Sequence, residues 1–138
     1  MEIKRGDYWL TDQKEKMDLS VIHSLLTSVY WAEGRSFETV KLSVENSYCL
    51  ALFHKTQQIG FARVITDYCT LAYLCDVFIL PQFQGQGLGK WLIQNVLNSD
   101  RLKAVQKFML ATGDAHGLYA QFGFGRLKHP EIYMELKK

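Results

Sequence analysis

The feature that most constrains this chain is a strand–loop–helix signature at residues 73–97, YLCDVFILPQFQGQGLGKWLIQNVL. An apolar run closes at Pro81, a Gly-rich loop follows, and Trp91, Leu92, Ile93, Val96 and Leu97 then recur at helical spacing. Glycines let the backbone turn sharply and let a ligand approach it closely. A helix start presents unpaired N–H groups and the positive end of the helix dipole. Together these make a seat for phosphate or pyrophosphate. Without a ligand they make only a glycine-rich turn. Two nucleotide patterns fail on spacing. A G-x-x-x-x-G-K-[ST] loop needs one more residue between Gly85 and Gly89, and Ser or Thr where Trp91 stands. A G-x-G-x-x-G fingerprint needs glycine where Lys90 stands.

The pattern Gln84-x-x-Gly87-x-Gly89 resembles the [RQ]-x-x-G-x-[GA] loop of the GNAT superfamily of N-acetyltransferases, in the same strand–loop–helix setting. A second stretch, TGDAHGLYAQFGF at residues 112–124, ends in Tyr119-x-x-Phe122-Gly123-Phe124 and resembles the family's Y-x-x-[FL]-G-F. In element order the resemblance spans nearly the whole chain, and it is similar above all to glucosamine-phosphate N-acetyltransferases and small bacterial enzymes of unassigned substrate. It implies acetyl-CoA as co-substrate, bound without a metal. Carried over, main-chain groups of Phe78, Ile79 and Leu80 hold the pantetheine arm. The loop Gln84, Gly85, Gln86, Gly87, Leu88 and Gly89, with Lys90, holds the pyrophosphate. The Tyr119 hydroxyl faces the coenzyme A sulfur, and the acceptor amine attacks directly in a ternary complex. Many members are homodimers, so the resemblance implies a homodimer here.

That chemistry asks for two proton movements. An alkyl ammonium with a pKa near ~10.4 must lose its proton before it attacks, at a cost of roughly 4 kcal/mol at neutral pH. The departing thiolate needs a donor, and a phenol near pKa ~10 facing a thiol near ~8.5 donates a hydrogen bond more readily than a whole proton. The base is open. Some relatives carry a glutamate on the strand before the loop, where this chain has Cys75. Asp76 is adjacent, and strand alternation turns it to the opposite side from Cys75, as an orienting carboxylate. His116, three residues before Tyr119, shares its helix face and is either a proton relay or a solvent-facing histidine. Asp114 is the expected N-cap of that helix. Trp31 and Arg35, with Glu33, lie between the first two helical segments, the loop that shapes the acceptor pocket in GNAT folds. Trp31 and Arg35 are candidates for stacking on the acceptor and binding its carboxylate or phosphate, or are an ordinary exposed loop.

The remaining elements follow from periodicity. Asp18 caps a helix carrying Leu19, Ile22, Leu25, Leu26 and Val29, and Ser36 caps a second with Phe37, Val40 and Val44. Strands are expected at residues 8–10, 48–54, 59–66, 70–80, 105–111 and 132–136, with a short helix at 115–122. The expected fold is one α/β domain over residues 1–138: a mixed, mostly antiparallel sheet flanked by helices, in which the strand ending at Leu80 and the one ending near Ala111 form a parallel pair that splays apart. Net charge of +2 with scattered Lys and Arg argues against nucleic acid or a membrane surface as partner. Three cysteines, Cys49, Cys69 and Cys75, form no Cys-x-x-Cys pair, which argues against disulfides and zinc and for buried thiols in a reducing compartment. With no apolar run of signal or membrane-spanning length, the expected location is cytoplasmic. The function expected is acetylation of a primary amine on a small molecule. Acetylation of a protein lysine or N-terminus, and a non-catalytic coenzyme A-binding sensor or interaction module, are the alternatives.

Overall fold

A computed structural model describes residues 1–28 and 34–138. Val29, Tyr30, Trp31, Ala32 and Glu33, and with them the Trp31 candidate, lie outside the described residues. Six strands form one sheet in chain order: β1 (Glu2–Arg5), β2 (Tyr8–Thr11), β3 (Tyr48–His54), β4 (Gln57–Thr66), β5 (Leu71–Ile79) and β6 (Lys107–Leu110). Neighbours are antiparallel except β5 and β6, which are parallel. Helices α1 (Leu19–Thr27) and α2 (Phe37–Glu45) precede β3, α3 (Leu88–Leu97) joins β5 to β6, and α4 (His116–Ala120) follows β6.

Local chemistry sets the helix starts. Asp18 accepts from the Ser20 and Val21 N–H groups, and Ser36 accepts from Thr39, as N-capping requires. The sheet then has a core on each face. Ile22, Leu26, Val40 and Val44 of α1 and α2 pack on Cys49, Ala51, Phe53 and Phe61. Leu88, Leu92, Ile93 and Val96 of α3 pack on Leu50, Leu52, Ala62, Val64 and Leu74 on the other face. Six of the seven residues of β3 are buried, because this strand has a helical layer on both sides.

Four expectations change. β1 is an added strand, folded back on β2 through Gly6 at φ 63°. Its sequence EIKR carries a single apolar residue, which hides it from a hydrophobic pattern. Cys69 is exposed in a loop and is not the buried thiol expected. Asp67 accepts from the N–H groups of Cys69, Thr70 and Leu71 and so holds that stretch as a turn. The N-cap of α4 is Ala115, not Asp114. The Thr112 hydroxyl takes the cap residue's N–H at 3.1 Å and stands in for the expected carboxylate. Residues 132–136 form no strand: Pro130–Ile132 is a 3-10 turn, Tyr133 after it is extended, and residues 133–138 are exposed and in no helix or strand. Alternation is a local property, but a strand needs an edge to pair with, and this segment pairs with none among the described residues.

Candidate active site

β5 and β6 pair only from Leu71 with Lys107 to Leu74 with Leu110. From Cys75 onward β5 runs on with β4 on one side and an edge on the other that pairs with no strand among the described residues. Just past the last pair the strand bulges. Phe61 faces Phe78 and Arg63 faces Cys75, so Asp76 and Val77 together oppose Ala62. Asp76 takes φ 52°, a conformation in which aspartate is one of the few tolerated side chains. Such a bulge re-aims the strand it interrupts and is common beside active sites.

The bulge corrects the alternation argument for Asp76. Its carboxylate, 2% exposed, accepts from Arg63 Nε at 2.8 Å and Arg35 Nη1 at 2.9 Å. Arg63 also donates to the Ser47 hydroxyl at 3.0 Å. Arg63 is opposite Cys75 in register, so Asp76 is turned to the same side as Cys75 and not away from it. Arg35 thus points at the base of β5, half-buried, with its charge already paired. Burial pushes the Cys75 thiol up to about 11. At neutral pH it is protonated and cannot replace a carboxylate base.

Backbone bonding sorts the three strand candidates. The Leu80 N–H is spent on the Ile59 carbonyl of β4 at 2.7 Å. Alternation then turns the polar groups of Ile79 to the free edge, where its carbonyl accepts from Gln84 Nε2 at 2.9 Å. The side chain of Gln84 therefore ties the Gly-rich loop to the end of β5. Tyr8 ties the loop from the other side, donating to Gln86 Oε1 at 3.2 Å.

In the loop, Gly85 and Gly87 have φ of 82° and 80°, which favours glycine. Gly87 is the N-cap of α3 and offers no side chain. The first backbone bond of that helix runs from Trp91 N–H to the Gly87 carbonyl, so the N–H groups of Leu88, Gly89 and Lys90 have no backbone partner among the described residues. Gly89 is the informative glycine. Its backbone is ordinary helix, and a Cβ there would meet only Ile79 Cγ1 at 3.9 Å. Neither strain nor packing inside the chain requires glycine at this position. A group approaching the open N–H cluster from outside would, and that is the fit expected of a pyrophosphate.

Tyr119 is held by a turn whose logic explains the whole Tyr119-x-x-Phe122-Gly123-Phe124 string. Phe124 N–H bonds to the Tyr119 carbonyl at 3.3 Å, and Gly123 N–H bonds to that of Ala120 at 3.1 Å. Gly123 supplies the left-handed residue at φ 95°. This is a Schellman ending, and the apolar contact that accompanies it is the edge-on pair of the Tyr119 and Phe124 rings, 5.9 Å apart. The Tyr119 ring is 9% exposed, and its hydroxyl has no hydrogen-bond partner among the described residues. Burial, then the Asp114 carboxylate, raise its pKa, so the phenol keeps its proton. Asp114, displaced from the cap, thereby acquires an electrostatic influence that spacing alone did not suggest. His116 is exposed, on the same helix. Tyr119, His116 and Thr112 all line a cavity of about 1230 Å³ beside β6. Among the described residues no three His, Cys, Asp or Glu side chains are grouped to hold a metal.

Comparison with known proteins identifies the family and the fold. The acetyltransferase (GNAT) domain profile matches residues 45–126. The chain is 32% identical over 136 residues to the uncharacterised N-acetyltransferase ycf52 of Pyropia yezoensis, covering 94% of this chain and 76% of that protein. It is 30% identical over 95 residues to the histone acetyltransferase TAP1 of Glycine max, covering 60% of this chain and 41% of that protein. A crystal structure assigned to the GNAT family, from Xanthomonas campestris, superposes with a TM-score of 0.93 at 36% identity, covering 98% of this chain and 96% of that one. A Mycobacterium tuberculosis protein solved in complex with CoA shares the fold at a TM-score of 0.70 and 17% identity, over 86% of this chain and 72% of that one. The chain belongs to the GNAT family of acetyltransferases, whose members transfer acetyl groups from acetyl-CoA.

Proposed function

We propose that this protein is an N-acetyltransferase that moves the acetyl group of acetyl-CoA to a primary amine on a small molecule, by direct attack in a ternary complex. The observation that carries the reading is the open N–H cluster at Leu88, Gly89 and Lys90, reached past a glycine that nothing inside the chain requires. Gln84, Gly85, Gln86, Gly87 and Lys90 complete the pyrophosphate seat, with Gln84 acting through its backbone because its amide is spent on Ile79. The free edge of β5 receives the pantetheine arm, and the Ile79 N–H, on that edge, is best placed to polarise the thioester carbonyl. Leu80 contributes its side chain rather than its main-chain groups, since its N–H bonds to the Ile59 carbonyl and its carbonyl accepts from Phe83 N–H, while Phe78 packs towards the α1–α2 face. The Tyr119 hydroxyl donates to the departing thiolate, and its raised pKa keeps the proton in place until then. With Cys75 protonated, the amine's proton leaves through water or His116. Arg35, oriented by Asp76, presents the edge of its guanidinium to an anionic group on the acceptor. No metal takes part in this scheme, and free thiols suit a reducing, cytoplasmic setting.

The soybean histone acetyltransferase among the relatives favours one second reading, a protein lysine as acceptor. Release of free thiol from acetyl-CoA, measured against small amines, amino sugars, polyamines and lysine peptides, separates the two. Turnover with small amines is expected. Turnover confined to peptides would move the assignment to the second reading, and binding of acetyl-CoA with no turnover on any amine would make the protein a coenzyme A-binding module.

A further inference from the structure

Ile79, the last residue of β5, stands where strand, loop and helix meet. Its register partner in β4 is Gly60. Its carbonyl accepts from Gln84 of the Gly-rich loop. Its side chain reaches α3, where Cγ1 lies 3.9 Å from the point at which a Cβ on Gly89 would stand. Gly89 is the second residue of that helix and belongs to the open N–H cluster. One side chain therefore connects the end of β5 to the start of α3.

Gly60 is what lets that side chain lie there. Gly60 is buried, and its φ is not in the left-handed region, so backbone conformation does not call for glycine. Space does. A Cβ on Gly60 would stand 2.8 Å from Ile79 Cδ1, 3.1 Å from Leu52 Cβ and 3.2 Å from the Phe78 carbonyl oxygen. Carbon atoms in contact rest ~3.5–4.0 Å apart. Leu52 belongs to the central strand β3 and is fully buried, so it has nowhere to go. The displacement falls on Ile79 and on the end of β5. An added methyl has room at Gly89 and none at Gly60, which separates the two glycines by what each protects.

Acetyl-CoA is one covalent molecule. Its pyrophosphate must reach the start of α3 while its pantetheine arm and thioester reach the edge of β5, so the spacing of these two elements decides whether both ends are held at once. We propose that Gly60 is a positioning residue for acetyl-CoA: the space it leaves seats Ile79, and Ile79 fixes the start of α3 against the end of β5. The proposal rests on the acetyl-CoA reading given above and adds to it a residue that touches no part of the co-substrate.

Calorimetric titration of acetyl-CoA into wild type, Gly60→Ala, and Gly60→Ala combined with Ile79→Val tests it, with denaturant unfolding of each protein alongside. Gly60→Ala is expected to weaken acetyl-CoA binding by roughly tenfold or more at a temperature where the protein is fully folded. Valine lacks Cδ1, the atom in closest conflict, and keeps a γ carbon to meet Gly89. The double substitution is therefore expected to return the affinity to within about threefold of wild type, a coupling that two independent sites would not show. A role in packing alone predicts a lower denaturant midpoint with the affinity of the folded protein unchanged, and that result overturns the proposal. So does a loss of affinity that Ile79→Val leaves in place. Should Gly60→Ala fail to fold, Ile79→Ala decides, because it removes the side chain between strand and helix and leaves the space at Gly60 as it is. Weakened binding is expected there too, and wild-type affinity overturns the proposal. A wild type that binds no acetyl-CoA defeats the acetyl-CoA reading and the proposal together, whereas a wild type and a Gly60→Ala protein that bind equally defeat the proposal alone.

Discussion

Tyr119 carries two jobs that one residue type satisfies. Its ring completes the apolar contact of the Schellman turn with Phe124, while its hydroxyl is left without a partner among the described residues. Tyr119→Phe separates the jobs because it keeps the ring and removes the donor. If the hydroxyl supports the departing thiolate, turnover should fall by roughly ten- to a thousand-fold with acetyl-CoA affinity unchanged, the mark of an interaction made in the transition state. Full activity in the Phe variant would leave the ring as a packing residue only. The Tyr119 motif was visible in the sequence because a Schellman turn is local: a left-handed glycine, an aromatic before it and one after. The role of Asp114 was not, since the Thr112 hydroxyl and a carboxylate compete for one cap and only geometry decides between them.

At the scale of elements, the β5 bulge joins the ion pairs to the slot. Asp76 is 2% exposed and holds Arg35 and Arg63 at once. Removing its charge leaves two guanidinium groups, one of them nearly buried, without a counter-ion. Asp76→Asn should therefore lower unfolding free energy by about 3 kcal/mol, read as a lower denaturant midpoint at unchanged slope. A loss under about 1 kcal/mol would mean that water screens the cluster as it does a surface pair. The sequence marked Asp76 as an orienting carboxylate, but the side of the strand it faces was misjudged. Strict alternation holds only where register is continuous, and one extra residue flips the parity. The strand at residues 132–136 failed for a related reason. Its alternation is real, but pairing is a non-local property, and the segment pairs with no strand among the described residues.

For the molecule as a whole, the two-faced sheet places several titratable groups out of reach of water. Burial raises Cys49 from 9.0 to about 12 and Tyr48 from 10.0 to about 12. Both bind their protons more tightly folded than unfolded, so the stability they contribute is fully present below about pH 9 and is lost as pH rises from there towards 12. The denaturant midpoint should fall over that window, and Cys49→Ala should flatten the fall; an unchanged midpoint up to pH 11 would contradict the burial. Most of the sheet was legible because hydrophobic period and caps are written locally, whereas the polar hairpin strand β1 was not. The Gly-rich loop was the most legible part of the candidate site, since its spacing alone discards the other phosphate-binding patterns. It also carries the central claim, that acetyl-CoA is seated by the backbone at the start of α3. Calorimetric titration of acetyl-CoA into wild type, Gly89→Ala and Gly89→Val measures this directly. Gly89 has helical backbone and open space, so both variants should fold, and the family pattern admits alanine. The account predicts binding by wild type and Gly89→Ala, and its loss in folded Gly89→Val as the branched side chain fills the approach to the N–H cluster. Wild-type affinity in folded Gly89→Val would contradict it.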